Sequence, residues 1–417
     1  MQTQLSASIL STAQGRDAEA ILRRCVHCGF CNATCPTYQL QGDELDGPRG
    51  RIYLIKQLLE GQTDGATARE HLDRCLTCRN CETTCPSGVE YNRLLDIGRE
   101  KVEHSAPRPL KERLLRWGLL QVVPFPKRFA LADRLVRTVR PLIPQTLRKV
   151  IPPSVKSVAQ WPAPRHARRV LLLDGCVQSV AAPEINLATA RVLDHLGISA
   201  IRSSDDGCCG ALNQHLSSTE SAAAFMRRNI DAWWPYLDDG ADGDSRQQVE
   251  AIISTASACG LQVKDYAYYL RFDEAYAEKA KIISARVKDV SELIAAEPVE
   301  NMVRVGMVRI AFHAPCSLQH GQRLNGVPEG ILTRCGFELT AVKDSHLCCG
   351  SAGTYSIFQR DLSEQLQTHK LAALQAEKPA VIASANIGCL LHLRQGVEGQ
   401  LPVKHWIELL ADCLPGQ

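Results

Sequence analysis

The chain has 417 residues, two to three domains by length, of which 45% are hydrophobic and 22% charged. Those proportions exclude a disordered chain, a collagen or one continuous coiled coil. A net charge of only +3 and 5% aromatic residues argue against a nucleic-acid surface. The 18 cysteines stand out. So long a chain is not a small secreted disulfide scaffold, and in a reducing compartment so many thiols point to metal. The N-terminus lacks a basic stretch followed by an apolar run, and no segment reaches the roughly 18 apolar residues of a bilayer span. Neither a signal peptide nor a transmembrane helix is expected.

Residues 1–106 read as a mostly helical domain. The turn-rich loop Gly42-Asp-Glu-Leu-Asp-Gly-Pro-Arg-Gly50 precedes a stretch, Arg51 to Glu60, with apolar residues at helical spacing. Two cysteine runs flank it: Cys25-Val-His-Cys28-Gly-Phe-Cys31-Asn-Ala-Thr-Cys35-Pro36 and Cys75-Leu-Thr-Cys78-Arg-Asn-Cys81-Glu-Thr-Thr-Cys85-Pro86. Both have the C-x2-C-x2-C-x3-C-P spacing of bacterial ferredoxins. Three close thiolates can wrap one side of a cubane, each meeting a different iron, and the proline turns the chain away. In two-cluster proteins the fourth cysteine ligates the other cluster. The spacing therefore predicts one 4Fe–4S cluster on Cys25, Cys28, Cys31 and Cys85, and a second on Cys75, Cys78, Cys81 and Cys35. A pair of structural zinc sites is the competing reading, but zinc knots do not need the following proline. His27 reads as a spacer inside the first run. Arg49 and Arg51 could offset the charge of a thiolate-bound cluster or belong to a solvated loop.

Residues 107–169 differ sharply in composition. They hold fifteen Lys or Arg against Glu112 and Asp133, and ten of the 21 prolines. Short helices broken by proline are expected, with Leu110, Leu114, Leu115 and Trp117 to Leu120 on the apolar side of one and a second from Phe129 to Arg140. Such a segment suits an anionic membrane surface, an acidic partner subunit, or the chain's own acidic domains.

An internal repeat organises residues 170–417, as a first half at 170–300 and a second at 301–417. Arg168-Arg-Val-Leu-Leu-Leu-Asp-Gly-Cys176 resembles Val308-Arg-Ile-Ala-Phe-His-Ala-Pro-Cys316, and Cys208-Cys-Gly210 returns as Cys348-Cys-Gly350. Each half closes with an apolar strand and one cysteine, Cys259 or Cys389. Strands alternating with helices imply two pseudo-symmetric α/β halves, so the whole chain is α+β. The cysteines are expected to terminate strands, at the edge where open α/β sheets hold ligands. Each half thus offers four thiols: Cys176, Cys208, Cys209 and Cys259, then Cys316, Cys348, Cys349 and Cys389. They could hold a further iron–sulfur cluster, zinc or a redox disulfide, or pack as small buried residues. His313, His320 and His346 lie close enough in sequence to help bind a ligand or simply to pack. Cys335, at an expected helix end, and Cys413, in an expected terminal helix, have no counterpart in the repeat and read as inert.

No G-x-G-x-x-G, P-loop, H-E-x-x-H or G-x-S-x-G occurs, so no catalytic residue is assigned. One-electron centres without a hydride acceptor describe an electron-transfer subunit. The two runs, Gly42 to Lys56, His71 to Gly88, Asn229-Ile-Asp-Ala-Trp-Trp-Pro235, Asp344 to Tyr355 and Ala385-Asn-Ile-Gly-Cys389 together resemble the glycolate oxidase iron–sulfur subunits. That resemblance spans nearly the whole chain. It implies flavin-binding (FAD) catalytic subunits as partners, oxidation of glycolate to glyoxylate, electrons delivered towards quinone, and a peripheral place on the cytoplasmic face of the inner membrane. Wider relatives act on lactate and glycerol 3-phosphate or belong to heterodisulfide reductase, so the same role in such a complex, or a non-redox metal-stabilised scaffold, is the alternative. In the heterodisulfide reductase relatives each half ends in C-x2-C and can hold a noncubane cluster. Here Ala256 and Asn386 stand where the extra cysteines would be.

Overall fold

In the computed structural model the described residues are 1–139, 160–237, 248–302, 308–397 and 399–414. The N-terminal unit is helical, and no strand occurs among the described residues up to 139. Helices Ala13–Arg24, Pro48–Leu59, Gly65–Asp73 and Tyr91–Ser105 pack through Leu22, Ile55, Leu72, Leu94 and Leu95, all fully buried. Asp64 caps the third of these by accepting from Thr67 N at 2.7 Å. The helix expected from Arg51 begins at Pro48 instead. Proline at N1 lacks only an N–H that the first turn leaves unpaired anyway.

Two helices follow, Leu110–Val122 and Pro126–Val139, longer than expected because Pro109 and Pro126 sit at their starts and break neither. Arg108 anchors the first to the N-terminal unit through Asp73 and Glu112, both at 2.6 Å. Leu110, Leu114, Leu115, Trp117, Leu131, Leu135 and Val136 are exposed. The rest of the basic segment up to residue 159 lies outside the described residues. Among the described residues no helix is long and apolar enough to cross a membrane.

The repeat builds two all-parallel, four-stranded sheets. The first holds β1 (Arg168–Leu172), β2 (Ile198–Ile201), β3 (Ala251–Ser254) and β4 (Val287–Asp289) in the order β2-β1-β3-β4. The second holds β5 (Arg309–His313), β6 (Glu338–Leu339), β7 (Val381–Ser384) and β8 (Val403–His405) in the equivalent order β6-β5-β7-β8. Val170 pairs with Ala251 and Ile310 with Val381, so the central strands keep matching registers. The α+β architecture with two pseudo-symmetric halves is therefore the one expected. Two details differ. The fourth strand of each half went unread, since three residues are too few to show alternation. Cysteines also do not end the strands: β1 stops at Leu172 and β5 at His313, short of Cys176 and Cys316, while β3 stops at Ser254 and β7 at Ser384. Cys259 and Cys389 each occupy the third position of the next helix, Ser257–Lys264 or Ile387–Gly396. Strand geometry would spread such side chains over both sheet faces, whereas a helix start turns them towards the strand ends. Cys413 similarly lies just past its helix, Trp406–Ala411.

One core runs through both halves, with Leu172, Ile185, Ile310, Ile382, Trp406 and Leu410 among its members. Helix Pro183–His195 of the first half packs against Trp406–Ala411 of the second. Ser257 N donates to Ala385 O at 3.1 Å, and the Ser257 and Ser317 hydroxyls meet at 2.7 Å. The N-terminal unit docks on both halves. Arg79 pairs with Asp265 at 2.5 Å, and Asn80 Nδ2 donates to His346 O at 3.1 Å.

Asp96 is part of that docking surface, accepting from Tyr269 Oη at 3.0 Å and Gln214 Nε2 at 3.4 Å. Burial raises its pKa to about 6, against the opposing effects of Tyr269 and Arg99. The folded state thus favours the neutral acid, a contribution fully present below the unfolded carboxylate pKa and lost as pH rises through about 6. Asp96→Asn keeps an acceptor without the charge. It should raise the melting temperature at pH 8 by about 2–4 °C and leave it nearly unchanged at pH 4. A variant no more stable than the parent at pH 8 would contradict this reading.

Candidate metal centres

Both cysteine runs fold into the same loop. His27 (φ 58°) and Gly29 (φ 84°) surround Cys28 with left-handed backbone, and Thr77 (φ 54°) and Arg79 (φ 58°) do the same around Cys78. Left-handed conformation costs roughly 1–2 kcal/mol for a residue with a Cβ, and the C-x2-C wrap is what requires it. Short helices follow, Phe30–Ala33 and Asn80–Thr84, and deliver Cys35 and Cys85 just beyond their ends. The Thr34 and Thr84 hydroxyls, one before each fourth cysteine, meet at 3.1 Å.

This near-symmetric contact exchanges the fourth cysteines. Cys25, Cys28, Cys31 and Cys85 line one cavity, and Cys35, Cys75, Cys78 and Cys81 line another, with Cys81 on the wall between them. Burial, then the neighbouring Cys25 and Cys85 thiols, pushes the Cys31 pKa up to about 11. Burial, then Cys316 and Cys35, raises that of Cys78. Thiols crowded this way hold one another protonated unless a cation is shared among them, and a soft, four-sulfur donor set fits an iron–sulfur group. The two cavities differ in setting. Cys28 is exposed, with Val26 and Phe30 exposed beside it, whereas the Cys75 cavity is walled by Arg51, Leu76 and Tyr91. His27 lines the first cavity, where its ring meets Tyr53 edge-on at 6.0 Å. Arg49 is tied to Glu44 at 2.6 Å, while Arg51 is 1% exposed and directed at the second cavity, with Nη1 4.0 Å from Cys35 Sγ.

The repeat gathers its thiols as well. Cys208 lies close enough to Cys176 and Cys209 for their thiols to perturb one another, and Cys209 likewise to Cys259. In the second half the contacts run Cys316–Cys348–Cys349–Cys389. Gly210 (φ 85°) and Gly350 (φ 90°) make this close packing possible: a Cβ there would stand 3.1 Å from Ala222 O and 2.5 Å from Ser363 O. Asn229 pins the first turn, accepting from Gly207 N at 3.0 Å and donating to Cys208 O at 2.8 Å. Interaction with Cys208 and then Cys259 lowers the pKa of the Cys209 thiol against the effect of burial.

Of the three histidines, His313 joins the set. One of its ring nitrogens lies within 4.8 Å of the Cys349 and Cys389 sulfurs. His320 serves docking instead, bonding Thr83 Oγ1 at 3.0 Å and His346 O at 2.9 Å. Cys335 and Cys413 stay outside both sets, in contact with Val299 O and Leu409 O. Two polar residues escaped sequence reading. Tyr91 Oη donates to Cys75 Sγ at 3.7 Å, and nothing in its surroundings announced it. Lys370 donates to Asp344 O at 2.8 Å beneath the second Cys-Cys-Gly turn. Its signal was a lysine on the buried stripe Leu362, Leu366, Leu374.

The two thiol regions match separate family models, a 4Fe–4S dicluster domain over residues 21–89 and a cysteine-rich domain over 170–264 and 310–394. The chain is 52% identical over 414 residues to the glycolate oxidase iron–sulfur subunit of Escherichia coli, covering 99% of both chains. It belongs to the family of glycolate oxidase iron–sulfur subunits. A probable member from Bacillus subtilis is 28% identical over 95% of this chain and 94% of its own. Lactate utilization protein A of Bacillus velezensis matches only 54% of this chain, at 26% identity over 90% of its own length. A hypothetical protein from Helicobacter pylori shares the fold, with a TM-score of 0.56 at 8% identity over 97% of this chain and 73% of that one. This iron–sulfur subunit homologue therefore carries a dicluster ferredoxin unit on two cysteine-rich halves, as the sequence led one to expect.

Exchange of the fourth cysteines gives a test by pairs. Cys28→Ser and Cys85→Ser should diminish the same EPR signal of the reduced protein, and Cys78→Ser and Cys35→Ser the other, each variant losing about four of about eight N-terminal irons. Grouping by run, with Cys85→Ser behaving like Cys78→Ser, would contradict the pairing.

Proposed function

We propose that this chain is the electron-transfer subunit of a flavin-dependent complex that oxidises glycolate to glyoxylate and delivers electrons towards quinone. Cys25, Cys28, Cys31 and Cys85 hold one 4Fe–4S cluster in this reading, and Cys75, Cys78, Cys81 and Cys35 the other. At least the second Cys-Cys-Gly set binds a further metal centre. Such groups supply one-electron carriage when bound, while FAD on partner subunits accounts for the two-electron oxidation.

The observation that carries the proposal is the contiguity of the thiol sets. Cys28 reaches the surface between exposed Val26 and Phe30, where a partner can approach. Behind it Cys81 borders both cavities. Cys78 then packs in one apolar cluster with Cys316 and Cys348 of the second half, beside Leu76 and Tyr355. The chain thus sets a line of sulfur donors from surface to interior. Near full-length identity to a glycolate oxidase subunit favours that substrate over lactate, whose relatives match about half of the chain.

The isolated chain, freed of flavin, should not oxidise glycolate, and adding the two flavoprotein partners should restore dye or quinone reduction. Glycolate turnover by the chain alone would overturn the assignment. A place on the cytoplasmic face of the inner membrane belongs to the same proposal. Leu114, Trp117, Leu131 and Leu135 are exposed beside the cationic Lys111, Arg113, Lys127 and Arg134, a composition suited to shallow insertion among anionic lipids. In vesicle flotation the chain should rise with anionic but not with neutral vesicles, lose binding as salt increases, and lose it again with Leu114→Glu plus Trp117→Glu. Indifference to lipid charge would reassign these helices to a partner subunit.

A further inference from the structure

We propose that His313 is a fifth, nitrogen ligand of the metal centre formed by Cys316, Cys348, Cys349 and Cys389, and that it makes the two pseudo-symmetric halves chemically unequal. This rests on the reading that the second Cys-Cys-Gly set holds metal.

His313 closes β5 and is 2% exposed. Its Nδ1 lies 2.9 Å from Ser384 Oγ at the end of the adjacent β7, and its Nε2 has no hydrogen-bond partner among the described residues. An imidazole nitrogen buried without a partner costs roughly 1–3 kcal/mol, so its position calls for an occupant. When Nδ1–H donates to Ser384, Nε2 keeps its lone pair, which is the arrangement in which metal-bound histidines are oriented by a second hydrogen bond. One ring nitrogen stands within 4.8 Å of the Cys349 and Cys389 sulfurs, which lie within the same distance of each other. Cys389 is engaged on another side by Asn386 Nδ2 at 3.5 Å. Sulfur and imidazole nitrogen together are a donor set for iron or zinc rather than for magnesium or calcium.

The first half has no such group. Aligning Cys176 with Cys316 puts Leu173 in the place of His313, and Leu173 belongs to the apolar core of that half. The helix behind the turn differs in the same sense. Ala222 faces Gly210 as Ser363 faces Gly350, and seven residues on, neutral Asn229 stands where the second half has the buried cation Lys370. A fifth ligand that is neutral imidazole brings no negative charge, where a fifth thiolate would, and so leaves the centre at a higher potential, as imidazole ligation does in Rieske centres; Lys370 acts in the same direction. The second set, which packs against Cys78, is thereby built to accept electrons more readily than an all-thiolate set would.

The test uses anaerobically purified full-length protein. Pulsed EPR should detect a nitrogen coupling on one centre, which changes when histidine is labelled with 15N. His313→Leu, copying the first half, should abolish it and leave both N-terminal signals intact. His313→Cys should retain the metal while lowering the midpoint potential of that centre in a redox titration. Should Cys348→Ser remove metal while His313→Leu alters neither coupling, potential nor metal content, the histidine assignment is wrong and the thiol site stands. If Cys348→Ser and Cys349→Ser leave iron and zinc content unchanged, the underlying site falls, and this inference with it.

Discussion

Arg51 carries a buried positive charge between the two cysteine runs, and the N-terminal unit is arranged around it. Its Nε donates to His71 O at 2.7 Å, its Nη1 to Thr37 Oγ1 at 3.1 Å, and its Nη2 approaches Asp46 Oδ1 at 3.5 Å. Thr37 follows the first run, His71 precedes the second, and Asp46 belongs to the loop between them. Burial works against the guanidinium charge, but the ionisable groups of Cys75, Tyr91, Cys35 and Asp46 outweigh it and hold the pKa above the ordinary arginine value. A buried ion left without its partner typically costs about 3–5 kcal/mol. The same side chain therefore joins the runs, which must meet if they are to exchange their fourth cysteines, and supplies countercharge to the thiolates of the inner cavity.

From that centre the structure extends by packing. Asp46 is bonded again by His71 Nδ1 at 3.0 Å and Arg74 at 2.8 Å, fixing the second run to the loop. Leu76 and Cys78 of the inner cavity pack against Cys348 and Tyr355 of the second half. The first half's set sits elsewhere, beneath Phe225 and Phe125, whose rings lie 5.5 Å apart; Phe125 lies between the two exposed basic helices. The cysteine sets of the two halves thus meet different neighbours, the ferredoxin unit on one side and an amphipathic surface on the other. Duplication supplied the scaffold, and substitutions such as His313 for Leu173 and Lys370 for Asn229 distinguish its ends.

Legibility in the sequence followed the range of the interactions. The C-x2-C-x2-C-x3-C-P runs were readable because cubane geometry dictates local spacing, and the halves because the interval of Cys176, Cys208 and Cys209 recurs unchanged in Cys316, Cys348 and Cys349. Arg51 was recognised only as one of two arginines, since the sequence does not say which of Arg49 and Arg51 turns inward. β4 and β8 were too short to show a period, and the placement of Cys259 and Cys389 within helices depended on where β3 and β7 stop. The left-handed residues His27 and Thr77 carried no signal, because neither is glycine. His313 looked like any core histidine until one of its ring nitrogens was seen within 4.8 Å of two sulfurs 36 and 76 residues away.

The central claim is that sulfur donors from three segments of the chain form contiguous iron sites, with Cys85 and Cys35 crossing over. Anomalous diffraction at the iron and zinc edges, from crystals grown anaerobically, tests it most directly. The account predicts iron density framed by Cys25, Cys28, Cys31 and Cys85, a second iron site framed by Cys35, Cys75, Cys78 and Cys81, and metal density among Cys316, Cys348, Cys349 and Cys389. Zinc at the first two positions, or iron held by each run with its own fourth cysteine, would contradict it.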